Sequence, residues 1–142
     1  SGPDTISDVY RKPIIFLNFL PLFEMWSWSK TLNYPKHLVW EKTGKPLTLN
    51  EHLEYKFSHT EQYENSGIKI INLSKEEILA TVEEGWKRLE GTWVDTKNDT
   101  KEQKKFWNML INHRNSSGHH GYIHEEAKIS SIFLRNNANF LE

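Results

Sequence analysis

The chain begins SGPDTISDVYRKPIIFLNF, from Ser1 to Phe19, and this stretch decides the predicted fold. After a glycine-containing loop, Asp4 or Thr5 can cap a short helix, because their side chains accept hydrogen bonds from free helical N–H groups. Lys12-Pro13 ends that helix, since proline lacks a donor and restricts the residue before it. The continuously apolar segment 14–19 is typical of a strand buried on both faces of a parallel sheet. This order of elements favours an α/β fold.

Two of the predicted helices specify which side chains are buried. In the first helix, the i, i+3, i+4 spacing places Ile6, Val9 and Tyr10 inward. A longer helix begins at the capping box Ser74 to Glu77 and ends at Gly91. Its apolar stripe is predicted to face the core, with the Glu/Lys-rich face in solvent; the stripe consists of Ile78, Leu79, Val82, Trp86 and Leu89.

Weaker signals place the other elements. Residues 34–40 are extended, a second capping box begins a helix over 49–57, and residues 58–67 form a polar loop. Residues 68–72 are predicted to form a second strand, parallel to the first. Two further helices are expected over 100–113 and 124–136. The predicted fold is therefore a partial Rossmann-like unit with a short parallel sheet and a helical carboxy-terminal tail.

Length and composition limit the class of protein. The 142 residues suit a single domain over 1–142, with an α/β part and aromatic loop in 1–73 and a helical tail in 74–142. The absence of cysteine excludes disulfides, and the net charge of −1 gives no bias toward nucleic acid. No apolar run approaches the roughly 20 residues of a membrane span. We therefore expect a cytoplasmic protein without a membrane span.

The opening loop is the strongest candidate site. Ser1 offers a hydroxyl, Gly2 allows a ligand to approach the backbone, and N–H groups at a helix start suit a diphosphate. Lys36 could add a positive charge, and Asn18 lies at the end of the buried strand. The alternatives are an ordinary turn for the loop, a loop-fixing hydrogen bond for Asn18 and a surface position for Lys36. His113, His119, His120 and His124 invite a metal hypothesis, but His119 and His120 lie in the flexible loop 115–121, which does not present ligands rigidly, so we predict no metal site.

Longer segments carry a family resemblance. The chain resembles the carboxy-terminal domain of a bacterial glycosyltransferase family with the GT-B fold, linked to surface carbohydrate biosynthesis. The resemblance is nearly end to end and rests on residues 1–4, 12–21, 35–38, 47–51, 76–78, 90–93, 103, 106–107 and 129–136. The Ser1-Gly2 loop also looks like the loop that heptosyltransferases and nucleotide-sugar epimerases place under the donor diphosphate.

This resemblance implies that Ser1, Gly2, Pro3 and Asp4 line the site of a nucleotide-sugar donor. It implies transfer without a tightly bound metal or cofactor, with backbone dipoles and positive side chains stabilising the leaving diphosphate. A GT-B enzyme needs a second, amino-terminal domain that carries the acceptor site and the catalytic base. We therefore expect a carboxy-terminal fragment that is inactive alone, with catalytic residues that the sequence does not identify.

A second hypothesis belongs to a different class of function. Long loops that carry large side chains are often functional. The segment 23–28 carries Phe23, Met25, Trp26 and Trp28. A non-catalytic interaction domain could dock a partner through this aromatic loop. A flat, exposed aromatic patch would favour that hypothesis, whereas a donor-sized cleft at the strand ends would favour a glycosyltransferase.

Overall fold

A short parallel sheet organises the chain in the computed structural model, which describes residues 2–119 and 121–142. Its strands are β1 (Ile14–Phe19), β2 (Thr31–Pro35) and β5 (Lys128–Ile129), in the spatial order β1-β2-β5. The central strand β2 is buried at all five positions. The predicted α/β class, with a short parallel sheet and a helical carboxy-terminal region, is confirmed and is consistent with a partial Rossmann-like unit.

The strand pairing differs from the prediction. Strand β1 pairs in parallel with β2, and β4 (Ile68–Ile71) instead pairs antiparallel with β3 (His37–Trp40) in a separate two-stranded sheet. The prediction that β1 is buried on both faces is also wrong. Within the described residues β1 is an edge strand, and its side chains are only partly buried. A continuous apolar run indicates a strand but does not identify its neighbours.

Six helices and one 3-10 turn complete the described architecture. The capping boxes at Thr48 and Ser74 are present, and Gly91 ends the helix Lys75–Glu90 in the left-handed conformation. A helix α3 lies in the segment predicted as a polar loop, and the strand β5 replaces the first half of the helix predicted over 124–136. The bounds are α1 Pro3–Val9, the 3-10 turn Leu22–Glu24, α2 Leu49–Glu54, α3 Thr60–Asn65, α4 Lys75–Glu90, α5 Lys97–Ser116 and α6 Ser131–Asn136.

Helix α1 presents the opposite side to the one predicted. Ile6, Val9 and Tyr10 are 64%, 72% and 71% exposed. Asp8 is buried instead, because its Oδ1 accepts hydrogen bonds from Trp28 N–H at 2.9 Å and from the Ser29 hydroxyl at 3.1 Å. These bonds fix the polar side of α1 against the loop before β2, so the apolar side faces outward.

Helix α4 also buries the face opposite to the one predicted. Four members of its apolar stripe are between 44% and 61% exposed: Leu79, Val82, Trp86 and Leu89. Thr81 and Glu84 are fully buried, and Glu84 accepts hydrogen bonds from the backbone and hydroxyl groups at the start of α6. Satisfied hydrogen bonds allow a buried carboxylate to hold the polar face inward.

The main core lies between the parallel sheet and the helices α2, α5 and α6. Its fully buried members include Leu22, Tyr34, Leu49, Phe106 and Leu110. A smaller apolar cluster lies under the antiparallel pair β3-β4 and includes Leu38, Leu47 and Ile68.

Candidate functional site

The carboxyl ends of β1 and β2 bring two of the predicted site residues together. Asn18 is the fifth residue of β1, and Lys36 directly follows β2. The Lys36 N–H donates to the Phe19 carbonyl at 3.4 Å, so the two strand ends adjoin. In open α/β sheets, ligands bind at this edge.

Asn18 makes a structural contact at this edge. It has a φ of 58°, and the register of the β1-β2 pair shifts between Leu17 and Phe19. Its Oδ1 accepts a hydrogen bond from the Leu73 N–H at 3.0 Å. Leu73 precedes Ser74, the N-cap of α4. Asn18 therefore ties the start of α4 to the sheet, which is the loop-fixing alternative weighed from the sequence.

The start of α1 lies at the same edge. Gly2 precedes the helix with a φ of 73°, and a Cβ at Gly2 would meet no heavy atom within 4 Å. Asp4, in the first turn, lines a small hollow together with Phe19 of β1. The backbone at Gly2 is therefore open to a ligand. Ser1 lies outside the described residues.

The electrostatics of that hollow bear on a diphosphate ligand. Asp4 shares the lining with Asp8 and Glu24, and carboxylates repel phosphate. Pro3 has no N–H, so the first turn of α1 offers one donor fewer. A diphosphate at this helix start would therefore contact the backbone around Gly2 rather than the Asp4 side chain.

A histidine–carboxylate pair lies next to Lys36 and was not identified from the sequence. His37 Nε2 lies 2.6 Å from Glu77 Oε1, and the Tyr34 hydroxyl donates to the same oxygen at 3.0 Å. The side chains of His37 and Glu77 are 21% and 23% exposed. Glu77 Oε2 also accepts the Ser74 N–H within the capping box. One carboxylate thus joins the ends of β2, β3 and α4.

The pKa values in this cluster follow from its hydrogen bonds. Burial raises the pKa of Glu77, but the hydrogen bonds from Ser74, His37 and Tyr34 outweigh it and lower the pKa overall. Burial raises the pKa of Tyr34, and the adjacent Glu77 carboxylate raises it further. Glu77 is therefore the anion of the cluster and Tyr34 its neutral donor. The sequence showed Glu77 only as a capping residue, since its partners are about 40 residues away.

The aromatic loop is divided between the core and the surface. Phe23 and Met25 are buried, whereas Trp26 and Trp28 are 41% and 51% exposed. The Trp28 ring stacks on Tyr122, with centroids 4.8 Å apart and planes 21° from parallel. The loop therefore anchors itself through two side chains and exposes two others.

No group of three or more His, Cys, Asp or Glu is placed to hold a metal ion within residues 2–119 and 121–142. His113 lies on α5, and the His119 ring packs against Phe23 with centroids 4.8 Å apart. His120 lies outside the described residues. In the same part of the chain, no helix has the length and apolar character needed to cross a membrane.

Comparison with known proteins does not assign a function to this chain. No family model matches the chain, and neither a curated protein nor a solved structure matches it.

Proposed function

We propose that this chain forms the donor-binding part of a nucleotide-sugar-dependent glycosyltransferase. The observation that carries the proposal is the carboxyl edge of the parallel sheet, where Lys36 adjoins the end of β1 and Phe19 of β1 shares a hollow with Asp4 in the first turn of α1. A parallel α/β sheet binds ligands at this edge, and a glycine backbone with a nearby lysine suits a diphosphate. The GT-B resemblance of the sequence supports the same assignment.

Within this proposal the neighbouring side chains have different roles. Negative charge develops on the diphosphate as it leaves during glycosyl transfer. The positive charge of Lys36 stabilises that leaving group. His37 lies beside Lys36 and is oriented by Glu77, whose Oε1 is 2.6 Å from His37 Nε2. Asn18 acts indirectly, because its hydrogen bond to Leu73 positions the start of α4.

The proposal includes a second domain of the same polypeptide, which supplies the acceptor site and the base. Its support is the exposed apolar surface around β1. Strand β1 has no neighbour on its outer side within the described residues, and the exposed apolar faces of α1 and α4 flank it. Parallel sheets normally have both faces covered. We accordingly expect the 142-residue chain alone to transfer no sugar.

Binding of nucleoside diphosphates to the full-length protein tests the donor site. We expect a panel of nucleoside diphosphates to include one that binds in calorimetry. Gly2→Val should weaken that binding, because the added side chain blocks the approach to the backbone and disfavours a positive φ. Ser1→Ala and Lys36→Ala should weaken it too, through the lost hydroxyl and charge.

A control variant at another lysine accompanies these binding measurements, and two outcomes would contradict the proposal. Lys42 is an exposed lysine in the turn after β3, so Lys42→Ala should leave the affinity unchanged. Unchanged affinity in both Ser1→Ala and Gly2→Val would overturn the site assignment. Failure of every nucleoside diphosphate to bind the full-length protein would overturn the function.

The exposed aromatic residues favour a second candidate function, in which the chain is a non-catalytic interaction domain. Trp26, Trp28 and Tyr122 form an accessible aromatic surface beside the loop 23–28. Aromatic side chains dominate the binding energy of many interfaces. The double variant Trp26→Ala/Trp28→Ala should abolish binding of a protein partner while leaving nucleoside diphosphate affinity intact. Loss of nucleotide binding alone would contradict this candidate.

A further inference from the structure

The His37–Glu77 pair lies at the edge where the two longer strands of the parallel sheet end. Tyr34, one residue before the end of β2, donates to Glu77, and His37 is the first residue of β3. At the end of β1, Asn18 accepts a hydrogen bond from the Leu73 N–H, directly before the N-cap of the helix that carries Glu77. The pair therefore adjoins the carboxyl end of β2, on a helix start that is tied to the end of β1. Ligands of open α/β sheets bind at this edge.

Hydrogen bonds to Glu77 determine which nitrogen of the His37 ring carries a proton. Glu77 Oε1 lies 2.6 Å from His37 Nε2 and also accepts the Tyr34 hydroxyl, while Oε2 accepts the Ser74 N–H. Burial opposes ionisation of Glu77, but these hydrogen bonds lower its pKa overall, so the carboxylate is ionised at neutral pH. An ionised carboxylate can only accept hydrogen bonds. His37 Nε2 is therefore the protonated nitrogen of the neutral ring.

The other ring nitrogen of His37 is available to a ligand. Nδ1 makes no hydrogen bond within the described residues and, unlike the Nδ1 of His52, it is not buried. The His37 side chain is 21% exposed. Nδ1 therefore offers a lone pair to solvent in the neutral ring and an N–H donor in the protonated ring.

The surroundings of His37 leave it as the group of this cluster that changes charge near neutral pH. Histidine typically titrates between pH 5 and pH 8. Glu77 on α4 stays ionised in this range, and Tyr34 on β2 stays neutral because burial and the adjacent carboxylate raise the pKa of its hydroxyl. His52 on α2 stays neutral because burial lowers its pKa to about 3. The residues that adjoin His37 from β4 and α6 have no ionisable group: Ile71 and Phe133.

A leaving diphosphate is a ligand that suits such a histidine. Protonated histidine donates charge-assisted hydrogen bonds to phosphate oxygens, and these are stronger than bonds between neutral groups. Histidine is also the side chain that most often transfers protons in general acid catalysis. Building on the donor function proposed above, we propose that His37 Nδ1 gives its proton to the leaving diphosphate and that Glu77 positions the ring.

The proton transfer accompanies the cleavage of the donor. Glycosyl transfer breaks the bond between the anomeric carbon of the sugar and a diphosphate oxygen, and the electron pair stays on that oxygen. The proton moves from His37 Nδ1 to the same oxygen, and the neutral ring keeps its Nε2 proton on Glu77. The acceptor hydroxyl forms the new bond to the anomeric carbon and loses its proton to the base of the second domain. His37 then regains its Nδ1 proton from solvent.

Titration of the 142-residue chain with inorganic pyrophosphate tests the proposal. We expect pyrophosphate to shift the His37 ring resonances saturably in NMR spectra and to bind at least threefold more tightly at pH 5.5 than at pH 8. The direction of this change is informative, because phosphate groups become more negative as the pH rises. Charge on the ligand alone would therefore favour binding at pH 8. Long-range ¹H–¹⁵N spectra at pH 8 should show the neutral His37 ring protonated on Nε2.

Variants separate proton donation from a purely structural role of the pair. His37→Gln should remove the pH dependence and weaken pyrophosphate binding at pH 5.5 at least threefold, whereas His59→Gln, at an exposed position, should change neither. Glu77→Gln keeps a residue that suits the capping box. It should nevertheless reduce the share of the Nε2-protonated ring and weaken the pH dependence. A purely structural pair would leave pyrophosphate affinity and its pH dependence unchanged in Glu77→Gln.

Three results would overturn the role of His37: no saturable shift with pyrophosphate, affinity that does not fall as the pH rises, or a neutral ring protonated on Nδ1. If His37→Gln does not fold, the pH dependence of the wild-type chain and of Glu77→Gln decides the outcome. Nucleoside diphosphate binding by the full-length protein is a separate measurement. The donor function can therefore stand when the role of His37 fails.

Discussion

The Ser130 hydroxyl donates to Glu84 Oε2 at 2.7 Å, inside the protein, across 46 residues of chain. The second carboxylate oxygen accepts the Ser131 N–H at 3.0 Å and the Arg88 Nε–H at 2.9 Å. Glu84 is fully buried, so α4 turns its carboxylate inward and its apolar stripe outward. This one cluster sets the orientation of the longest amphipathic helix predicted from the sequence.

Removing the buried carboxylate should therefore be costly. We expect Glu84→Ala to lower the free energy of unfolding by about 3–5 kcal/mol, because the Arg88 Nε–H, the Ser130 hydroxyl and the Ser131 N–H all lose their buried acceptor, although Arg88 keeps its pair with Asp95. Urea denaturation followed by circular dichroism measures this change. Glu83→Ala, one position along the helix and exposed, should change stability by less than about 0.5 kcal/mol. Equal effects of the two substitutions would contradict the inward position of Glu84.

Substitution in the exposed apolar stripe of α4 should, in contrast, have little effect on stability. Trp86 is 60% exposed, so we expect Trp86→Gln to change the free energy of unfolding by less than about 0.5 kcal/mol. Phe106 is fully buried, and Phe106→Ala should cost about 3–5 kcal/mol through lost burial and a cavity. Urea denaturation midpoints compare the two variants, provided that the slope of unfolding free energy against urea concentration is the same for both. A loss of several kcal/mol in Trp86→Gln would show that the stripe packs against the core.

Burial of His52 should make stability depend on pH. Burial, with a smaller contribution from the nearby His37, lowers the pKa of His52 to about 3. An unfolded histidine titrates near 6.5, so between pH 6.5 and 3 the unfolded chain binds more protons than the folded one. Stability should fall as pH decreases through this window, by at most about 1.4 kcal/mol per pH unit.

Two substitutions separate His52 from other titrating groups. His52→Leu should flatten this part of the pH profile, since the native imidazole is buried with no described partner for its Nδ1. His59→Gln, at an exposed position, should retain the wild-type profile. Denaturation midpoints measured from pH 7 to pH 4 supply the comparison. An unchanged slope in His52→Leu would refute the assignment.

Asp99 should stabilise the protein above the acidic range. The Arg135 guanidinium, whose Nε lies 2.8 Å from Asp99 Oδ1, holds the pKa of the Asp99 carboxyl below its usual range. The Thr96 N–H donates to Asp99 Oδ2 at 2.7 Å and acts in the same direction. Because the folded pKa is lowered, this contribution is complete above about pH 4 and is lost as pH falls below it.

Asp99→Asn tests that contribution directly. We expect lower stability at pH 7 and a weaker loss of stability between pH 4 and pH 2, measured by thermal unfolding. Glu90→Gln removes an exposed carboxylate from the end of α4 and should leave both quantities nearly unchanged. If Asp99→Asn kept the wild-type stability at pH 7, the ion pair with Arg135 would be ruled out as a stabilising contact.

Local signals explain most of what was predictable about the fold. The capping boxes at Thr48 and Ser74 and the glycine at Gly91 were predicted and are present, because each depends on residues only a few positions apart. The strand bounds of β1 and β4 follow from short apolar runs. Their pairing was not predictable, since β1 pairs with β2, a neighbour that its own sequence does not specify.

The candidate site shows the same division. Gly2, Asn18 and Lys36 were selected from their positions relative to a helix and a strand, and in the structure the Lys36 N–H donates to Phe19 at the end of β1, next to Asn18. The pair His37–Glu77 and the hollow around Asp8 were missed. Their members come from segments up to 40 residues apart, and the capping box that contains Glu77 does not indicate its contact with His37.

The sequence by itself determined the class of fold, the ends of the capped helices and the glycine at the start of α1. Tertiary structure decided which faces of α1 and α4 are buried. Hydrophobic periodicity describes an apolar face, but the buried hydrogen bonds of Asp8 and Glu84 decide which face turns inward. Such bonds join distant segments, so only the folded chain brings together the groups that satisfy a buried carboxylate.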